Sequence, residues 1–255
     1  MRPFFNYFGG KWRSSVRYPG PQHEIIVEPF AGAAGFSVRR SGNRKVFLYD
    51  KSPIIIGIWD YLIHANKKRI LALPDIEFGT MVADPKYKLC QEEAWLIGFW
   101  MNTGVANVCR QPSAWYDPDK DPSQAKFLWG QRIRKRIASQ LQFIRHWKAE
   151  VCSYEDIPNR SACWFIDPPY QDHGKWYTYN NKTIDFKHLG EWCLSRQGQY
   201  IVCEGKGADW LPFKPFGEVQ AKYHPGKITE DREKATTCHE VIFTNTPLPV
   251  QVSLF

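Results

Sequence analysis

The densest chemistry in the chain is Asp167-Pro168-Pro169-Tyr170, directly after the apolar run at 162–166. Proline gives no N–H to a strand ladder, so a strand cannot continue through two of them. The pair forces a rigid turn and leaves a backbone carbonyl free of helical competition. A carboxylate, a fixed carbonyl and an aromatic ring therefore converge at one strand end. That set suits an amine delocalised into a heteroaromatic ring. Asp167 and the Pro168 carbonyl can accept its two N–H groups, and Tyr170 can stack on the ring. A tight proline turn capped by an acid is the plainer alternative for these four residues taken alone.

A second cluster, Glu28-Pro29-Phe30-Ala31-Gly32-Ala33-Ala34-Gly35, also leaves an apolar run and opens a helix. Small residues let the backbone approach a ligand, and a helix N-terminus favours an anion. Asp50 ends the next apolar run, where an acid can bond the ribose hydroxyls of a nucleoside-type cofactor. A third, Phe4-Phe5-Asn6-Tyr7-Phe8-Gly9-Gly10-Lys11, is either an ordinary glycine turn or a loop presenting an ammonium to a carboxylate.

These turns need elements to hold them. Runs at 24–27, 45–49, 162–166, 199–203 and 239–243 read as strands, and stretches near 33–40, 53–65 and 186–196 as helices. Alternation of this kind predicts an α/β domain with a largely parallel sheet, whose ligands sit outside the carboxyl ends of the strands. Residues 66–149 differ. Helical patterns at 92–101 and 124–148, interrupted by a loop rich in proline and aspartate at 112–122, predict a helical insertion.

The formal charge is +8, which favours a polyanionic partner. Residues 126–148 carry seven Lys or Arg and no acid, whereas solvated helix faces ordinarily mix both signs. Arg132, Arg134, Lys135 and Arg136 are the expected phosphate contacts. The loop at 102–115 holds Asn102, Asn107, Arg110 and Gln111, side chains able to bond purine edges in the major groove. The seven cysteines stand singly, without the C-x2-C pairs of a zinc site. Reduced thiols and no metal are the expectation. No apolar run approaches the roughly 20 residues of a membrane span, and the N-terminus lacks a signal peptide's apolar stretch. A cytoplasmic protein, monomeric or weakly dimeric, is expected.

Together these segments resemble the alpha-group, Dam-like DNA adenine methyltransferases, in which the motifs occur in this order. Tyr7-Phe8-Gly9-Gly10-Lys11 is similar to the family's N-terminal aromatic-x-G-G-K motif, and Val27 through Gly32 to its cofactor loop. Asp50 matches the ribose-binding acid, and Cys152-Ser153-Tyr154-Glu155-Asp156 the segment beside the cofactor's adenine. Asp167-Pro168-Pro169-Tyr170 matches the catalytic motif, and His239-Glu240-Val241-Ile242-Phe243-Thr244-Asn245 the last strand.

The resemblance implies a Rossmann-like methyltransferase sheet with helices on both faces. Residues 1–60 and 150–255 would form the catalytic domain, and 61–149 an inserted target recognition domain. It implies S-adenosyl-L-methionine as cofactor, held by Tyr7, Phe8, Gly9, Gly10, Lys11, Glu28, Pro29, Phe30, Gly32, Ala33, Asp50, Tyr154 and Asp167. Double-stranded DNA is the implied partner, with an adenine flipped onto Tyr170. Two positions depart from the pattern: the family's G-x-G reads Gly32-Ala33-Ala34-Gly35, and Glu204-Gly205 stands where a Ser-Asn pair is common. N4-methylation of cytosine is the nearest alternative, followed by an inactive DNA-binding regulator of the same fold. Glutamine methylation uses Asn before Pro-Pro-Tyr, and Asp167 argues against it.

Overall fold

The computed structural model describes residues 1–102, 104, 106–113, 128–172, 174, 177–220 and 237–248. Among these, seven strands form one sheet: β1 (Ile25–Glu28), β2 (Lys45–Asp50), β3 (Lys148–Val151), β4 (Ala162–Ile166), β5 (Gly198–Gly205), β6 (Lys214–Gln220) and β7 (Thr237–Thr244). Their order is β3-β2-β1-β4-β5-β7-β6. The five strands from β3 to β5 run parallel, and β7 lies antiparallel to both β5 and β6.

The helices are α1 (Gly35–Arg40), α2 (Pro53–His64), α3 (Lys67–Ala72), α4 (Gln91–Gly98), α5 (Gln131–Gln140) and α6 (Phe186–Leu194). Ser52 caps α2, accepting the Ile55 N–H, with Pro53 at the first helical position, where its missing N–H costs nothing. Asp185 caps α6 through the His188 N–H at 3.0 Å.

From β1 the chain steps through α1 to β2 on one side. From β4 it steps through α6 to β5 on the other. Parallel crossovers are right-handed, so opposite steps place α1 and α6 on opposite faces. The core follows that division. Ile26, Val46, Phe165 and Ile201 pack with α1, α2 and the helices of 61–149, whereas Val27, Trp164, Ile166 and Val202 pack with Leu189, Trp192 and Cys193 of α6.

Residues 61–149 share the first of these cores. Trp59, Leu62, Phe99, Ile133 and Ile137 are buried in one continuous cluster. The 60/61 boundary cuts α2, and the 149/150 boundary cuts β3. The long helix expected at 124–148 is shorter. Among the described residues α5 spans Gln131–Gln140, a 3-10 turn follows at Leu141–Phe143, and Lys148 opens β3; 124–127 lie outside the described residues. Among the described residues no helix is long and apolar enough to cross a membrane, and no cluster of His, Cys, Asp and Glu is placed to hold a metal ion.

Candidate active site

Sheet order reverses between β1 and β4, and the crevice outside the carboxyl ends of strands at such a switch point is where ligands bind. Here it is a cleft enclosing about 1070 Å³ of non-atom space, open solvent included. Glu28, Asp50 and Asp167, at the ends of β1, β2 and β4, all line it.

The N-terminal segment is laid across these ends by its aromatic residues. Phe4 and Phe5 are buried against Trp59 of α2, with ring centroids 5.6 and 5.5 Å apart, and Trp100 Nε1 donates to the Phe4 carbonyl at 3.0 Å. Tyr7 through Lys11 thereby line the cleft. A Cβ on Gly35 would come within 2.5 Å of the Trp12 backbone N and 2.8 Å of the Lys11 N. Glycine at 35 is therefore what lets this segment settle on the start of α1. At Gly32, φ is +45° and a Cβ would lie 2.9 Å from the Tyr7 ring. Ala34 takes the left-handed conformation (φ +47°) ahead of α1. The displaced glycine of the loop thus serves the N-terminal crossing, and an alanine carries the turn.

Each carboxylate at a strand end has a different partner. Asp50 Oδ2 accepts the Gly32 N–H at 3.0 Å and Oδ1 the Ser52 N–H at 2.9 Å. Burial pushes its carboxyl up to about 6, against these two donors. Glu28 is buried, and its Oε1 accepts the Ser37 N–H at 2.8 Å. The α1 N-terminus expected to attract a ligand anion is thus occupied in part by Glu28. Pro29, Phe30 and Ala33 complete the loop's wall, and the Phe30 ring lies 5.6 Å from that of Tyr154. The Tyr154 hydroxyl shares a hydrogen bond with His188 Nδ1 at 2.9 Å.

Asp167 and Lys11 form the β4 end of the cleft. Lys11 Nζ stands 3.0 Å from Asp167 Oδ1 and 3.5 Å from Glu240 Oε1, and donates to the Gly9 carbonyl at 2.8 Å. Burial opposes its charge, but Asp167 and Glu240 together hold the ammonium above the usual lysine range. Of the three N–H donors of the ammonium, the Gly9 carbonyl takes one; the two carboxylates neighbour it as ion pairs, and Asp167 Oδ1 is buried without a hydrogen-bond partner. The carboxylate that the Gly9-Gly10-Lys11 loop addresses is therefore Asp167. Burial pushes Asp167 up to about 6, with Lys11 pulling it down and Glu240 pushing it further up.

Pro169 lines the cleft, whereas Pro168 and Tyr170 do not. The Tyr170 hydroxyl donates to Glu240 Oε1 at 3.2 Å, and Lys11 Nζ sits 4.9 Å from its ring centroid. That face is already covered, so the expected stacking of a substrate on Tyr170 does not follow from this arrangement. The aromatic wall beside Asp167 is Phe8 with Tyr177, whose hydroxyl donates to the Phe8 carbonyl at 3.2 Å. Across the mouth, Thr178 Oγ1 donates to Asn107 Oδ1 at 2.7 Å. Neither Tyr177 nor Glu240 stood out in the sequence as a site residue. The aromatic richness of 176–179 is the one available signal for Tyr177. Glu204, at the departure from Ser-Asn, accepts the Gln171 N–H at 3.2 Å and Trp210 Nε1 at 3.1 Å, bracing the turn after Tyr170.

The basic stretch divides. Arg134 is buried and pairs with Asp75 Oδ1 at 2.6 Å. Arg136 donates to the Pro3 carbonyl at 3.1 Å and lies over the Trp100 ring; burial lowers its guanidinium to about 10. Arg145 donates to the carbonyls of Ile63 and Ala65. Arg134 thus ties α5 to Asp75 and Arg136 ties it to the N-terminal segment, so neither stands in an outward row. Arg132, Lys135, Arg110 and Gln111 are exposed and Asn102 is half-buried, all outside the cleft lining. Trp115 and Lys126, the ends of the two expected DNA-contacting stretches, lie outside the described residues.

No family model matches the chain, and no curated protein matches it.

Proposed function

We propose that this protein is an S-adenosyl-L-methionine-dependent methyltransferase acting on an exocyclic amine of DNA, N6 of adenine, on a Rossmann-like sheet with 61–149 as its recognition element. The observation that carries the reading is the convergence of Asp50, the Gly32 loop, Asp167 and Pro169 on one switch-point cleft. The residues fit the cofactor. Asp50 keeps unused lone pairs for ribose hydroxyls, and Phe30 with Tyr154 offers aromatic surface to an adenine. At Gly32 a side chain would strike the Tyr7 ring, so glycine keeps the loop backbone and that ring together in the cleft wall. When bound, S-adenosyl-L-methionine supplies an electrophilic methyl group.

The chain's own residues prepare the amine. Ionised Asp167 accepts its N–H more strongly than the neutral acid would, and Lys11 fixes the Asp167 side chain from behind. As the amine nitrogen becomes positive, a pre-placed carboxylate in a half-buried site stabilises that charge without reorganisation. Positioning of the two reactants contributes much of the remaining acceleration.

The test is mass spectrometry of nucleosides from DNA amplified in vitro and incubated with protein and methyl-labelled S-adenosyl-L-methionine. N6-methyldeoxyadenosine is expected. N4-methyldeoxycytidine would reassign the base, and cofactor binding without any methylated nucleoside would leave an inactive regulator. Asp167→Ala should fall below a tenth of wild-type turnover at saturating cofactor while keeping DNA affinity, which comes mainly from phosphate contacts.

A further inference from the structure

The last strand brings a buried carboxylate to the catalytic turn. Glu240 lies on β7 opposite Gly205 of β5 and is 5% exposed. Its Oε2 accepts the Tyr18 hydroxyl at 3.1 Å and its Oε1 the Tyr170 hydroxyl at 3.2 Å. Two hydroxyl donors would suffice to satisfy a structural acid. Yet Oε1 also stands 3.5 Å from Lys11 Nζ, the ammonium that faces Asp167 Oδ1 at 3.0 Å. One cation therefore serves two carboxylates, and like charges held this close oppose one another's ionisation.

We propose that Glu240 is the positioning residue of the catalytic turn: it anchors Lys11 and Tyr170 on the buried side, so that Asp167 faces the cleft with a shared rather than a private counter-ion. Asp167 Oδ1 is buried at the ion pair while the side chain is 19% exposed, so its open surface lies away from Lys11. The use made of this carboxylate rests on the methyltransferase reading; the coupling between the two acids does not.

The other ionisable groups facing Asp167 are quiet near its titration. Tyr7, Tyr18, Tyr170, Tyr177 and Cys203 are all pushed up by burial and are neutral there. Burial pushes Glu28 on β1 up to about 8 and Glu204 on β5 to about 7. Besides burial, Lys11, Glu240 and the Tyr170 hydroxyl are left, among the described residues, to set the charge of Asp167. Removing the negative charge at 240 deletes a repulsion and returns Lys11 wholly to Asp167. Both changes favour ionised Asp167.

The experiment is carboxyl carbon-13 NMR of the full chain, with Asp167 assigned by the signal lost in Asp167→Asn. Glutamine keeps the size of Glu240 and one acceptor oxygen; its NH2 meets the other tyrosine hydroxyl, which must then accept instead of donate. In Glu240→Gln the Asp167 midpoint is expected to fall by about one pH unit. A midpoint that stays or rises in a folded variant overturns the proposal. Should Glu240→Gln lose cooperative melting, Tyr18→Phe serves instead. It keeps the ring stacked 4.6 Å from Phe216 and removes one of the two hydroxyls that hold Glu240, loosening its claim on Lys11. The Asp167 midpoint then moves the same way by less, and an unmoved one overturns the proposal equally. The acid limb of methyl transfer should follow the NMR midpoint. A midpoint that falls in a protein transferring no methyl supports the coupling and removes the reaction assignment alone.

Discussion

Asp50 Oδ2 accepts the Gly32 N–H at 3.0 Å, tying the end of β2 to the loop that leaves β1. One carboxylate thus closes the floor of the cleft and faces into it. Its second oxygen holds the Ser52 N–H, just where Ser52 caps α2.

Asp50→Ala should therefore do two things at once. Loss of charge-assisted bonds should weaken S-adenosyl-L-methionine binding by roughly 1.5–3 kcal/mol, and the melting temperature should drop because two buried N–H groups lose their acceptor. Asp50→Asn keeps a carbonyl oxygen and should retain more of the stability than of the affinity. Calorimetry alongside thermal melting separates the two; unchanged affinity in both variants would remove Asp50 from the cofactor site.

Ala34 gives a test of backbone strain. An L-residue in the left-handed region costs about 1–2 kcal/mol, whereas replacing a buried alanine by glycine ordinarily costs about 0.8 kcal/mol for the methyl and roughly 0.5–1 for backbone entropy. At φ +47° these should cancel, leaving Ala34→Gly within about 0.5 kcal/mol of wild type. Ala33, also buried but without positive φ, should show the full loss on Ala33→Gly. Equal losses at the two positions in urea unfolding would mean that Ala34 stores no strain.

The parallel half of the sheet is legible in the sequence because its central strands are covered on both faces. β4 is buried at every position, so it reads as an unbroken apolar run. β3, Lys-Ala-Glu-Val at the exposed edge, has no such signature. β6 contains Pro215 and Gly217 at a bulge beside β7, tolerated only because it too is an edge. The strand-end acids are legible for the same reason as their turns. Their partners are not: Lys11, Asp167 and Glu240 meet only through the sheet order. The one-sign run at 126–148 misleads because charge in sequence carries no record of the carbonyls a guanidinium will meet in the core.

If residues 61–149 contact DNA as proposed, those placements assign folding and contact to different residues. Arg134→Ala should destabilise the chain by about 1–2 kcal/mol, since it removes a buried arm and its pair with Asp75, and leave the salt dependence of DNA binding unchanged. Arg110→Ala, at an exposed side chain, should leave melting unchanged and cost about 1–3 kcal/mol on the preferred site alone. Binding to preferred and scrambled duplexes at two salt concentrations checks both. Equal losses on the two duplexes would make Arg110 a backbone contact, and a flattened salt slope in Arg134→Ala would return it to the phosphate-binding surface.

Glu28 makes stability depend on pH in a direction opposite to that of a salt-bridged acid. It is 2% exposed, and burial pushes its carboxyl up to about 8 despite the Ser37 donor. An unfolded glutamate titrates near 4.3, so between these values the folded chain holds a proton that the unfolded chain releases. The contribution is full below the unfolded value and is lost as pH rises through the folded one. Burial raises Asp50, Asp167 and Glu204 as well, and they add in the same sense. Urea unfolding should therefore give a higher stability at pH 5 than at pH 8.5, with Glu28 alone accounting for on the order of 3 kcal/mol. Glu28→Gln keeps an oxygen for the Ser37 N–H and cannot ionise. It should match wild type at pH 5, exceed it at pH 8.5 by a similar amount, and flatten the profile between. If the two proteins lose stability in parallel over this range, Glu28 ionises at little cost and the drop belongs to the other three acids.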